Sequence, residues 1–240
     1  MTGRKKRVLV LTPTPAECAA VERHVAGVGF RRLKVTILES GAGKINAALS
    51  LATALAVVPS DGGHGPMVIG CGTSGSLSLK VHSGQIVCSL DSVIADWRHD
   101  DGIEQLVGAY GVFDYGYPDE ARVESMAVRS SSPVLKALQE KLSGSGFLPG
   151  RVLTTDSFIA SRDYKLALGG TYGALVCDME SGAFAWTAKR IGDLPWMNLR
   201  LVADTLDETL SDYFDKEKDA TEILGARTLE ALTALDGILE

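Results

Sequence analysis

Short runs of β-branched and aliphatic residues alternate along the chain with longer amphipathic stretches. The runs at 7–12, 34–39, 67–71, 85–90, 151–155, 174–177 and 198–203 are almost continuously apolar, the pattern of strands buried on both faces of a largely parallel or mixed sheet. Helical stretches are read at 17–26, 45–57, 132–142, 181–190 and 217–238. Helices interleaved with strands predict an α/β fold with a central sheet covered on both sides. The stretches 61–66 (Asp-Gly-Gly-His-Gly-Pro) and 143–146 (Ser-Gly-Ser-Gly) carry the turn chemistry of surface loops. Neither is long enough to link domains and no internal repeat is seen, so a single domain over 1–240 is expected. Residues 97–122, with four glycines and three tyrosines, read as a long excursion near a site.

Charge and composition narrow the classes. The 240 residues carry 24 Lys and Arg against 30 Asp and Glu, a net charge of −6. A surface coating nucleic acid needs clustered positive charge, so neither nucleic acid nor anionic lipid is expected as a partner. Four cysteines, Cys18, Cys71, Cys88 and Cys177, are too sparse for a disulfide framework and read as reduced thiols of a cytosolic protein. The longest apolar stretch, 45–58, is broken by Asn46, Ser50 and Thr53 and falls short of the roughly 20 residues that span a bilayer. The basic start leads into no signal-peptide core. A cytoplasmic location without membrane contact is therefore expected. His24, His64, His82 and His99 lack metal-site spacing, so neither metal nor cofactor is expected.

Several motifs carry candidate chemistry. The stretch 70–75 (Gly-Cys-Gly-Thr-Ser-Gly) matches GxGxxG, but the nine residues before the predicted strand at 85 cannot hold the crossover helix of a dinucleotide site. It reads instead as a Gly-rich loop whose backbone amides approach a small ligand. The stretch 40–44 (Ser-Gly-Ala-Gly-Lys) is either a tight strand-to-helix turn or a helix N-terminus beside a pocket. Asp178 and Glu180 end an apolar run before a helix. They are either caps or, at a strand carboxyl end, acceptors for the vicinal hydroxyls of a ribose. Asp204 ends another buried strand, as a turn aspartate or as a carboxyl that desolvation turns into a proton donor. Glu17 is by itself an ordinary first-turn acid.

In their order and spacing, the segments 8–17, 40–44, 72–77, 155–159, 176–183 and 200–204 resemble the nucleoside phosphorylase and nucleosidase superfamily, most closely its methylthioadenosine/S-adenosylhomocysteine nucleosidases. The resemblance implies a three-layer α/β/α sandwich around a mixed, partly barrel-like sheet, a homodimer, and hydrolysis of the N-glycosidic bond of a small-molecule nucleoside. It implies Asp204 as general acid at the purine N7 and Glu17 as the carboxylate that activates water. Met179 and Glu180 match the ribose-binding pair and Phe158 and Ile159 the base-binding pair, with Thr73 and Arg200 near the water or ribose. Related phosphorylases carry an arginine a few residues before the Gly-Thr step. The stretch 68–73 has none, so hydrolysis is expected over phosphorolysis. Ala203 precedes the acid where the family usually has serine, and Asp178 stands where glutamate is common. A phosphate-dependent phosphorylase, a futalosine-hydrolase-like nucleosidase and a non-catalytic nucleoside-binding protein are the alternatives. Asp204→Asn is expected to leave folding intact and abolish base release.

Overall fold

A computed structural model describes residues 5–58, 65–96, 123–124, 126–208 and 210–239. The expected excursion at 97–122 and the first part of the loop at 61–66 lie outside the described residues. In chain order the elements are β1 (Lys6–Thr12), α1 (Pro15–Val25), β2 (Leu33–Glu39), α2 (Lys44–Val57), β3 (Met67–Ser76), β4 (Ile86–Ile94), β5 (Val128–Arg129), α3 (Pro133–Leu142), β6 (Phe147–Thr154), α4 (Arg162–Tyr172), β7 (Ala174–Asp178), α5 (Ser181–Gly192), β8 (Trp196–Asp204) and α6 (Leu210–Ile238).

The period-two alternation of a strand explains the layering. In β1, Val8 and Val10 pack into a cluster with Val21 of α1, Leu135 of α3 and Leu224 of α6. Leu9 and Leu11 point the other way, against Leu51 of α2 and Phe184 of α5. The sheet is thus covered on both faces, and its strands read as continuous apolar runs for that reason. A third cluster joins Leu168 and Tyr172 of α4 to Leu77, Leu153 and Cys177.

The eight strands form one mixed sheet in the order β2-β1-β3-β7-β6-β4-β5, with β8 also paired to β3 and β4. β8 runs parallel to β3 and antiparallel to β4. β7 closes onto β3 through the pairs Gly75↔Cys177 and Ser76↔Val176. The five strands β3, β8, β4, β6 and β7 therefore make a closed ring, and β1 and β2 extend the sheet from β3.

One expectation needs correction, and two elements were not foreseen. The Gly-rich stretch 70–75 is not a loop but lies wholly within β3. Gly70, Gly72 and Gly75 lie in register with Asn198, Arg200 and Asp204 of β8. A Cβ on Gly70 would run into Asn198 and Phe184, one on Gly72 into Arg200 and Pro13, and one on Gly75 would approach Asp204 Oδ2 to 2.8 Å. The glycines make room for buried polar side chains on the neighbouring strand. Helix α4 and the two-residue β5 carried no recognised signal: the last turn of α4 holds Gly169, Gly170 and Thr171, poor helix formers.

Candidate active site

β8 sets the site by alternation. Met197, Leu199, Leu201 and Ala203 face the α1/α3/α6 core, so Asn198, Arg200 and Asp204 project to the opposite face. There a cavity of about 310 Å³ is lined by Glu17, Thr73, Phe158, Met179, Glu180 and Asp204, among others. A hollow of about 40 Å³ shares Phe158, Met179 and Asp204 and adds Ile159. Seven of the eight residues expected at the site thus gather at one place. Arg200 lies beneath: it is fully buried under Gly72 and lines neither space.

Glu17 combines the ordinary cap with the site. Thr14 caps α1, Pro15 starts it, and Glu17 completes a capping box. Its Oε2 accepts from the Thr14 backbone N–H and hydroxyl, both at 3.0 Å. Oε1 accepts from the Thr73 N–H at 2.8 Å and hydroxyl at 2.9 Å. The side chain is 1% exposed, and four donors hold it.

Glu180 accepts from the Gly43 N–H at 2.8 Å. Gly43 caps α2 at φ 88°, a conformation that favours glycine. The 40–44 turn is therefore both a tight turn and a helix N-terminus facing the cavity. Burial pushes the Glu180 carboxyl up to about 7; Arg200 and the Gly43 amide oppose this, and Asp178 and Glu17 add to it.

Below the floor, Arg200 Nε donates to Ser181 Oγ at 2.8 Å and lies 2.8 Å from Asp178 Oδ2, while Nη1 is 3.4 Å from Glu180. Burial works against its charge, but Asp178, Glu180 and Glu17 hold it more firmly protonated than usual. Asp178 accepts from Thr154 Oγ1 at 2.6 Å and from the Ser181 N–H at 2.9 Å. It thus holds the first N–H of α5 and anchors Arg200 together.

Asp204 has a partner that sequence reading missed. Lys165 Nζ of α4 lies 2.7 Å from Asp204 Oδ2 and donates also to the Thr205 carbonyl at 2.7 Å. The lysine is wholly buried. Burial raises the Asp204 pKa above the usual aspartate value, against the lowering effect of Lys165 and with a further rise from Glu208. At the mouth, Lys44 pairs with Asp96 and lies 3.0 Å from Asp156. Asp96 accepts from Thr155 Oγ1 at 2.6 Å. This clasp fastens the start of α2 to the loop that carries Phe158. Among the described residues no cluster of three or more His, Cys, Asp or Glu could hold a metal ion, and no helix is long and apolar enough to cross a membrane.

The fold is shared with solved structures. A futalosine hydrolase from Helicobacter pylori superposes with a TM-score of 0.71 at 15% identity, over 96% of this chain and 97% of that one. A 5′-methylthioadenosine/S-adenosylhomocysteine nucleosidase from S. pneumoniae does so with a TM-score of 0.71 at 22% identity, over 98% and 100%. Among curated sequences, a 5′-methylthioadenosine/S-adenosylhomocysteine nucleosidase from Exiguobacterium sp. is 28% identical over 202 residues, 84% of this chain and 80% of the relative. Its counterpart from Staphylococcus aureus is 24% identical over 204 residues, 84% and 82%. The family model for the phosphorylase superfamily matches residues 10–238, and the chain belongs to that superfamily.

Proposed function

We propose that this protein is a nucleosidase that hydrolyses the N-glycosidic bond of a purine nucleoside, with 5′-methylthioadenosine and S-adenosylhomocysteine as the favoured substrates and adenine as a product. The observation that carries the reading is the lining of the cavity. Glu17, Asp178, Glu180 and Asp204 bring four carboxyl groups to it, and no Lys, Arg or His of the described residues lines it. Such a wall repels a phosphate dianion and suits an attacking water. The curated relatives, named as nucleosidases, support the same reaction.

In this reading Asp204, whose pKa burial raises above the usual aspartate value, gives a proton to N7 of the purine. The bond from the ribose carbon to N9 breaks, and its electron pair leaves with the base. Water attacks the sugar from the opposite face and yields its proton to Glu17, which Thr14 and Thr73 orient. Glu180, ionised, accepts from the ribose hydroxyls while Met179 packs on the sugar. Phe158 and Ile159 hold the base. Arg200 acts from below by placing Glu180.

A homodimer in the cytoplasm completes the reading. Ile45 is 82% and Leu49 65% exposed on α2, one turn apart on the face directed away from the sheet; a second copy would cover them. Ile45→Lys with Leu49→Lys would then give a monomer in sedimentation. A futalosine-hydrolase-like activity is the second reading, favoured by the equal structural likeness to that enzyme. Base release from methylthioadenosine, S-adenosylhomocysteine, adenosine, inosine and futalosine, with and without phosphate, tests all of this. Phosphate-independent adenine release from the first two is expected. Release only with phosphate would overturn hydrolysis, and release from futalosine alone would reassign the substrate.

A further inference from the structure

Lys165 is an unusual occupant of a protein interior. A fully buried lysine is tolerated only with a close partner, and an aliphatic side chain of the same volume fills such a space at lower cost. Here the ammonium sits 2.7 Å from Asp204 Oδ2 and 2.7 Å from the Thr205 carbonyl. One cation thus grips both the carboxylate and the backbone just past it. Helix α4 is seated for this: Gly169 lies so close to the Leu77 carbonyl that no Cβ would fit. Ala203, the residue before the acid, has no side-chain donor and packs into the opposite core.

We propose that Lys165 is the positioning residue of the general acid, holding Asp204 Oδ2 so that Oδ1 is the oxygen that meets the base, and stabilising the charge that Asp204 acquires on giving up its proton. The proposal rests on Asp204 being that acid. During turnover the proton moves from Asp204 to the purine nitrogen, and the electron pair of the broken carbon–nitrogen bond stays with the base. Asp204 is left as a carboxylate against an ammonium that keeps all three of its protons. Solvent then reprotonates the aspartate. The other ionisable groups facing Asp204 cannot take this role. Glu208 is anionic, the Cys177 thiol of β7 is pushed up to about 12 chiefly by burial and stays neutral, and Gly75 of β3 brings no side chain. Arg162 at the rim is paired with Asp207 at 2.5 Å.

The test measures kcat/KM against pH for Lys165→Met, Lys165→Arg and Asp204→Asn. One substrate is the purine nucleoside that the wild type cleaves; the other is a 4-nitrophenyl riboside, whose leaving group departs without a proton. Lys165→Met is expected to lose roughly a hundredfold on the purine nucleoside and to change little on the nitrophenyl riboside. Without the cation Asp204 keeps its proton to higher pH, so the alkaline limb moves upward. Lys165→Arg restores part of the rate. Equal loss on both substrates, or an unmoved alkaline limb, overturns the proposal and leaves Lys165 a packing residue. Should Lys165→Met not fold, Lys165→Gln, an uncharged donor, must show the same upward shift. Unimpaired purine release by Asp204→Asn overturns instead the reading of Asp204 as the acid.

Discussion

Glu17 and Thr73 are joined by two hydrogen bonds to one carboxylate oxygen, at 2.8 Å from the backbone N–H and 2.9 Å from the hydroxyl of the threonine. With Thr14 holding the other oxygen, both oxygens of the carboxylate are fixed in place, and the start of α1 is tied to β3. Glu17→Gln replaces acceptors by an amide that must point its own donors at donors. It is expected to cost about 1–3 kcal/mol of stability and to lower kcat by roughly 10²–10⁴. Thr73→Val, which removes one of the four donors, is expected to cost less on both counts. Base release and thermal unfolding of the two variants check the ranking; equal damage would contradict it.

Asp204→Asn is expected to abolish base release, but the buried lysine changes what sequence reading foretells for folding. The variant leaves the Lys165 ammonium without its counter-ion, a loss of about 3–5 kcal/mol at neutral pH. Adding Lys165→Met, which removes the unpaired ammonium, should restore the lost stability. Denaturant titrations of the single and double variants at pH 7 would show both effects; a single variant as stable as the wild type would refute the account.

Glu180, pushed up to about 7 by burial, titrates above the usual glutamate range. A carboxyl whose folded pKa is raised contributes stability that is complete below its unfolded value and is lost as pH rises through 7. A tenfold difference in acid constant between the folded and unfolded chains is worth about 1.4 kcal/mol. Glu180→Gln is therefore expected to raise the Tm at pH 8 and leave it unchanged near pH 4, while weakening nucleoside binding at pH 8 and changing it little near pH 4. The wild type should bind more weakly as pH falls below 7, because a protonated Glu180 accepts poorly from ribose hydroxyls. Calorimetric titration across this range checks the sign.

Gly75→Ala tests the room left for the acid. Its Cβ would lie 2.8 Å from Asp204 Oδ2, an oxygen that Lys165 prevents from swinging away. A marked fall in kcat is expected with the fold retained. Gly29→Ala, whose Cβ meets nothing within 4 Å, serves as the control and should stay within about 0.5 kcal/mol of the wild type. Similar kinetics for the two variants would disprove the crowding.

Much of the site is legible in the sequence. Glu180 and Asp204 stand at the ends of apolar runs, where a buried strand must meet either a cap or a ligand, so polar type and position point to the same place; Glu17, by itself an ordinary first-turn acid, stands out only through the family resemblance. Asp178 is visible as a cap, and its hold on Arg200 is not, because that contact spans two strands. The glycines of β3 mislead, since glycine has low strand propensity and its reason for being there lies on β8. Lys165 is hidden twice over. Its helix has weak local preference, and lysine on a helix is ordinarily a solvated residue. Only the tertiary fold buries it against an acid 39 positions later.

The placement of β8 bears on how the protein comes into being. Its pairs with β3 join residues as distant as Val68 and Trp196, more than half the chain apart, so a nascent chain on the ribosome completes its ring only once Asp204 has emerged. Until then β3 and β4 present unpaired edges, the kind that draw neighbouring chains together. Arg200 and Asp204 arrive with the same strand that covers those edges. Closure of the ring and delivery of the proposed proton donor are one event, and a chain halted before β8 has neither.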